Sequence, residues 1–186
     1  MQLKEILNEQ RIYAILNKVP ILRESEVHLF EELIGLYEPS RVLEVGTAIG
    51  YSTLLLAKHA AKDAEIVSIE LDEQRHNMAK QYIGQSEYKD NITLHLGDAN
   101  EVLTKLEGTF DLVFLDGPKG QYGKQLELIE SHLAPGPLFW RIMSSSEAMC
   151  GAIRKHRTVI KRLLNDYVNI WTWLKINRNL ILPFIL

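Results

Sequence analysis

The sequence predicts a doubly wound α/β domain with a mostly parallel sheet, and three observations carry the prediction. From Arg41 onward, short apolar runs alternate with stretches of helical period. The connections between them are short, as strand-helix-strand crossovers covering both faces of a parallel sheet require. The chain has 186 residues, enough for one core and too few for two ordinary domains, so a single domain over 1–186 is expected.

Two helices come first, over 1–38. Leu3 to Val19 carries two apolar stripes, Leu3, Ile6 and Leu7, then Ile12, Ile15, Leu16 and Val19, which point to different sides. This helix either turns near Asn8 to Gln10 or is covered on two sides, and Pro20 ends it. Ser25 is placed to cap a second helix reaching about Tyr37, with Val27, Leu29, Phe30, Leu33, Ile34 and Leu36 as its buried stripe. Strands are then expected at Arg41 to Val45, Glu65 to Glu70, Asn91 to Leu96 and Asp111 to Asp116. Helices are expected at Tyr51 to Lys62, Glu73 to Ile83, Ala99 to Leu106 and Tyr122 to Leu133.

Composition is that of a globular protein, with 46% apolar and 24% charged residues. No apolar run is long enough for a bilayer, and the first residues mix charge into apolar positions, unlike a signal peptide. A cytoplasmic location without membrane association is the expectation. Cys150 is the sole cysteine, which excludes an internal disulfide framework and a zinc site of several thiolates. The net charge of −3 hides a division along the chain. Residues 1–136 hold 13 Lys and Arg against 22 Asp and Glu, a balance of −9, whereas residues 137–186 hold 8 against 2, a balance of +6. All three tryptophans, Trp140, Trp171 and Trp173, lie in the basic part.

In such a sheet ligands bind beyond the carboxyl ends of the strands, where strand order reverses. The first strand runs into Glu44-Val45-Gly46-Thr47-Ala48-Ile49-Gly50-Tyr51-Ser52, a Gly-containing turn onto a helix N-terminus. Taken alone, an ordinary strand-to-helix turn explains it equally well. The second strand ends in Glu70, 20 residues after Gly50, where an acid can accept hydrogen bonds from a ribose diol; the plain alternative is a solvated strand-end acid. Together they point to a nucleoside-containing cofactor. NAD and S-adenosylmethionine both fit so far. A dinucleotide fingerprint wants a middle glycine where Ala48 stands and a third to seat a pyrophosphate, and Glu44 would repel that pyrophosphate while favouring an ammonium or sulfonium. This favours S-adenosylmethionine.

The third strand ends in Leu96-Gly97-Asp98-Ala99, where Asp98 either meets an adenine edge or caps the next helix. The fourth ends in Asp116-Gly117-Pro118-Lys119-Gly120-Gln121-Tyr122. Its Asp, Lys and Tyr can supply a hard metal ligand, a proton acceptor and a ring. A solvated loop is the plain alternative.

The runs VLEVGTAIGYSTLLLA, IVSIELDEQRHNMA, LHLGDANEVL and FDLVFLDGPKGQY resemble the linked motifs of the S-adenosylmethionine-dependent O-methyltransferases of the divalent-metal type. That family includes catechol and caffeoyl-CoA methyltransferases and has a Rossmann-like class I fold. The resemblance covers roughly Val19 to Gly136 and is strongest to a bacterial branch that includes tRNA 5-hydroxyuridine methyltransferases. It implies a cofactor core at 39–136. Glu44, Gly46, Tyr51 and Ser52 would surround the methionine part, Glu70 would bind the ribose and Asp98 with Ala99 the adenine, with Thr47, Leu71 and Gly97 also in the cofactor site. Asp116 would serve cofactor and metal, and Lys119 would be the catalytic base beside it. It further implies Mg²⁺, or a similar divalent ion, a catechol-like or tRNA hydroxyl acceptor, and a homodimer.

The family's Asp-Asn pair after the fifth strand has no counterpart here. After Ala134-Pro135-Gly136 the chain reads PLFWRIMSSSEAMCGAI, in which Glu147 is the sole acid. The resemblance resumes at Lys155 to Leu163, and the chain stops before the family's Gly-Asp-Gly turn, so the closing antiparallel strand is expected to be missing. Either the segment has diverged, leaving a weakened or absent metal site, or compensating frameshifts have rewritten it. The competing functions are therefore an O-methyltransferase and a catalytically silent cofactor-binding or scaffold protein, with a nicotinamide dehydrogenase third. Arg154, Lys155, Arg157, Lys161 and Arg162 offer a basic face to RNA phosphates or simply to solvent.

Overall fold

A computed structural model describes residues 2–117, 121–134 and 139–142. They fall within one compact unit, Met1–Ser146. Lys119, Cys150, the basic residues from Arg154 to Arg162, the closing strand and the rest of the single domain expected over 1–186 lie outside the described residues.

Helices α1 (Leu3–Asn17) and α2 (Glu24–Tyr37) precede strand β1 (Arg41–Val45). Then come α3 (Tyr51–His59), β2 (Glu65–Glu70), α4 (Glu73–Gly84), β3 (Ile92–Leu96), α5 (Ala99–Leu103), β4 (Leu112–Leu115) and α6 (Tyr122–Ile129). A 3₁₀ turn, Glu130–His132, leads to β5 (Phe139–Ile142). The five strands run parallel in the order β3-β2-β1-β4-β5. This is the doubly wound arrangement expected, and its order reverses between β1 and β4.

The central strands β1, β2 and β4 are buried on both faces, which is why they read as near-continuous apolar runs. One face carries Val42, Ile66, Leu112 and Phe114, packed with Phe30 and Ile34 of α2 and Tyr51 and Leu55 of α3. Phe30 meets Phe114 edge to face, with ring centroids 5.2 Å apart. On the other face Leu43, Val45, Val67, Ile69, Val113 and Leu115 are at most 7% exposed. At the opposite rim, Asp111 accepts hydrogen bonds from the Ser40 and Arg41 amides, and Arg41 lies over the Phe110 ring.

Three details depart from the sequence reading. Helix α1 is unbroken and buries the line Ile6, Gln10, Ala14, leaving Ile12, Ile15 and Leu16 exposed. Ser25 lies inside α2; the cap is made at Arg23, whose amide donates to Glu26 three residues on. Leu36, assigned to the buried stripe, is 60% exposed. Among the described residues no helix is long and apolar enough to cross a membrane.

Candidate functional site

The carboxyl edge of β1 is the centre of the site, because the turn after it is tied to both neighbouring strands. On the β2 side, the amides of Gly46 and Thr47 donate to the Ile69 carbonyl at 2.9 and 3.2 Å. The Ala48 amide donates to Glu70 Oε2 at 2.7 Å. On the β4 side, the Asp116 amide donates to the Val45 carbonyl at 2.8 Å. Gly46 has φ +102°, and a Cβ there would stand 2.8 Å from the Asp116 carbonyl. Glycine is required at this position by conformation and by space alike. Ala48 is also left-handed, at φ 48°, although it has a side chain.

Glu70 closes the second strand as a bracket between two segments. Oε2 holds Ala48 and Oε1 accepts the Asp72 amide at 2.9 Å. A carboxylate has about four acceptor positions, and the two amides take two of them on a residue that is 7% exposed. Leu71 and Leu96, at the ends of β2 and β3, are 65% and 47% exposed and form apolar surface along the same rim. Gly97, at a positive φ of 153° that favours glycine, donates its amide to the Glu70 carbonyl. Asp98 caps α5 through the Asn100 amide at 2.7 Å, the plainer of its two sequence readings.

Glu44 lies beneath the turn and is completely buried. Register explains its neighbours: it stands opposite Ser68 of β2, while Ser52 and Thr53 come from the first turn of α3. Ser52 donates to Oε1 at 2.5 Å, and Thr53 and Ser68 donate to Oε2 at 2.5 Å each. With its single proton given to Glu44, Ser68 receives its other contact, at 2.5 Å, from the Thr47 hydroxyl. Burial pushes the Glu44 carboxyl up, the three hydroxyls oppose that push without cancelling it, and the Glu70 charge adds to it.

Asp116 follows β4 on the other side of the turn. Desolvation by surrounding protein, then the charges of Glu44 and Glu26, push its carboxyl up to about 7. The residue as a whole is exposed, so solvent screening tempers this effect. Among the described residues no three His, Cys, Asp or Glu side chains gather around it or elsewhere as a metal would need. Glu44 is committed to its hydroxyls. The described residues around Asp116 therefore do not fit a Mg²⁺ site.

The structure thus brings Gly46, Thr47, Tyr51, Ser52, Glu70 and Asp116 around one turn, with Leu71, Gly97, Asp98 and Ala99 along its rim. Sequence reasoning missed Thr53 and Ser68, whose polar character inside a helix turn and a strand becomes meaningful only once Glu44 faces them. It also missed Asn100. That side chain donates to Asp98 at 2.9 Å and leaves a buried Oδ1 with no donor among the described residues.

A family model described as O-methyltransferase matches residues 1–138. The match ends where the motif pattern breaks. A catechol O-methyltransferase of Niastella koreensis is 27% identical over 110 residues, covering 57% of this chain and 50% of that protein. Another, from Mycobacterium tuberculosis, is 34% identical over 88 residues, covering 47% of this chain and 40% of that protein. The matches therefore span half the length of these curated relatives or less. Among solved structures, the O-methyltransferase from Bacillus cereus in complex with SAH superposes with a TM-score of 0.72 at 20% identity. It covers 85% of this chain and 79% of that one, and the likeness is one of fold.

Proposed function

The chain belongs to the O-methyltransferase family, and from that premise we propose that it transfers a methyl group from S-adenosylmethionine to a hydroxyl oxygen. The observation that carries the proposal is the turn 46–50 at the reversal point of strand order, tied to Glu70 on one side and to Asp116 on the other. In this reading Glu70 receives the ribose hydroxyls, and Leu71 and Leu96 pack the base. The Asp98–Asn100 pair meets the adenine edge. Carboxylates on both sides of the turn favour a ligand carrying ammonium and sulfonium charge over a pyrophosphate.

The chemistry is a displacement. The acceptor oxygen forms a bond to the methyl carbon as the carbon–sulfur bond breaks, S-adenosylhomocysteine leaves, and the hydroxyl proton passes to a base. The resemblance assigns that base to Lys119. The protein's contribution is orientation: holding sulfonium and acceptor in line is the main source of acceleration available to it. The resemblance also implies Mg²⁺ assistance, which the described residues around Asp116 do not fit. A catechol-like molecule or 5-hydroxyuridine in tRNA is the acceptor in this reading, and the protein is a cytoplasmic homodimer.

Methyl transfer from labelled S-adenosylmethionine to catechols and hypomodified tRNA, with and without Mg²⁺, tests the proposal. Cofactor binding without transfer to any hydroxyl would count against it. That outcome would favour the second reading, a cofactor-binding protein with an impaired catalytic edge, motivated by the run Met143 to Ser146 after β5.

A further inference from the structure

The turn at 46–50 has a second set of supports, which comes from neither neighbouring strand. Gln10, on α1, is completely buried, and its Nε2 donates to the Ile49 carbonyl at 2.8 Å. Arg11, the next residue, donates from Nε to the Tyr51 hydroxyl at 2.7 Å and from Nη1 to Glu24 at 2.8 Å. Its guanidinium carbon also lies 5.6 Å from the centroid of the Tyr51 ring. Consecutive residues thus hold the two residues flanking Gly50, one through main chain and one through side chain.

The chain direction makes this a latch. Ile6 packs in the cluster that contains Leu54, whereas Gln10, one helical turn later, reaches Ile49. Helix α1 therefore runs antiparallel to α3 and carries Gln10 and Arg11 to the level of the turn. Gln10 is a costly choice for packing alone. Its Oε1 is buried with no donor among the described residues, so a leucine of similar size would fill the space without the desolvation penalty. What the amide supplies and leucine cannot is a fixed position for the Ile49 carbonyl. Arg11 likewise serves two segments with one planar fork, which lysine cannot reproduce.

We propose that Gln10 and Arg11 are positioning residues that hold the turn 46–50 in its ligand-binding form, coupling the docking of α1 to occupancy of the cofactor site. The proposal rests on reading the turn as an S-adenosylmethionine site. Coupling is reciprocal, so bound ligand in turn stabilises the docked helix.

The test compares the full chain with Gln10→Leu, Arg11→Met and Arg11→Lys by calorimetry with S-adenosylhomocysteine, by thermal unfolding, and by hydrogen exchange at the Thr47 and Ala48 amides. Gln10→Leu is expected to keep or raise Tm while weakening the ligand by about fivefold or more and speeding exchange at the turn. Arg11→Met should weaken the ligand as well, with Arg11→Lys recovering part of the loss. Unchanged affinity in both Gln10→Leu and Arg11→Met overturns the proposal, whatever happens to Tm. If the parent chain binds no S-adenosylhomocysteine, the functional reading falls. Exchange at Thr47 and Ala48 then decides separately whether α1 holds the turn, and equal rates in parent and Gln10→Leu overturn that too.

Discussion

The main chain of Asp116 occupies the space into which a side chain on Gly46 would project, with 2.8 Å between that Cβ and the carbonyl. Two loops 70 residues apart in sequence therefore meet backbone to backbone. Gly46→Ala forces either the φ of +102° or the contact to change. Strain of this kind costs about 1–3 kcal/mol before the clash is counted. Urea unfolding should show a loss of at least that size, and calorimetry should show no S-adenosylhomocysteine binding. Retained affinity would mean that the loops separate without consequence.

Ala48 gives a prediction of opposite sign. A left-handed alanine costs about 1–2 kcal/mol relative to right-handed backbone, a cost that glycine avoids. Ala48→Gly should be neutral or stabilising by about 0.5 kcal/mol, since glycine also adds freedom to the unfolded chain. Ala57→Gly in α3 should lose about 1 kcal/mol. Chemical denaturation of the two variants side by side checks the contrast.

Glu70→Gln keeps the shape and removes the charge that Ala48 and Asp72 share. One of the two amides must then face an NH₂ group. A stability loss of about 1–2 kcal/mol is expected, with a fall in S-adenosylhomocysteine affinity of about tenfold or more, equivalent to ~1.4 kcal/mol. An affinity equal to that of the parent would remove Glu70 from the ligand site.

The raised Asp116 carboxyl sets a pH dependence. With its folded pKa near 7 against an ordinary value of 3.8, the folded state holds a proton that the unfolded chain releases. This residue's contribution to stability is therefore largest below pH 4 and declines as pH rises toward 7. A cationic ligand favours the ionised form, so S-adenosylmethionine affinity should rise through about pH 7 and level off above it, with proton release visible as buffer-dependent binding heat. Asp116→Asn should flatten both profiles. A parent profile already flat across this range would place the carboxylate in its ordinary ionisation range.

The fold was legible because the central strands β1, β2 and β4 are buried on both faces, which leaves runs such as Leu112 to Leu115 unmistakable. The glycine turn and Glu70 were legible because their spacing is fixed by one helix and one strand. Gln10 was not, because glutamine at a helix position ordinarily signals solvent; only the Ile49 carbonyl gives it a reason to be inside. The hydroxyls around Glu44 were hidden for a related cause, since Ser68 and Thr53 lie 24 and 9 residues from it and meet it only through strand register and helix start. The cap at Arg23 eluded the reading because it depends on Glu26 turning back to a main-chain amide, which no preference for Ser25 reveals.

The strand order also sets a sequence of events during synthesis. β1, β2 and β3 neighbour one another in the order in which they are made, so that these three of the five strands can pair as they emerge. β4 must instead return past them to the free side of β1, closing a long loop at an entropic cost before any contact rewards it. The Gly46 turn is thus left with one wall missing until residue 116 arrives and the fourth strand is in place.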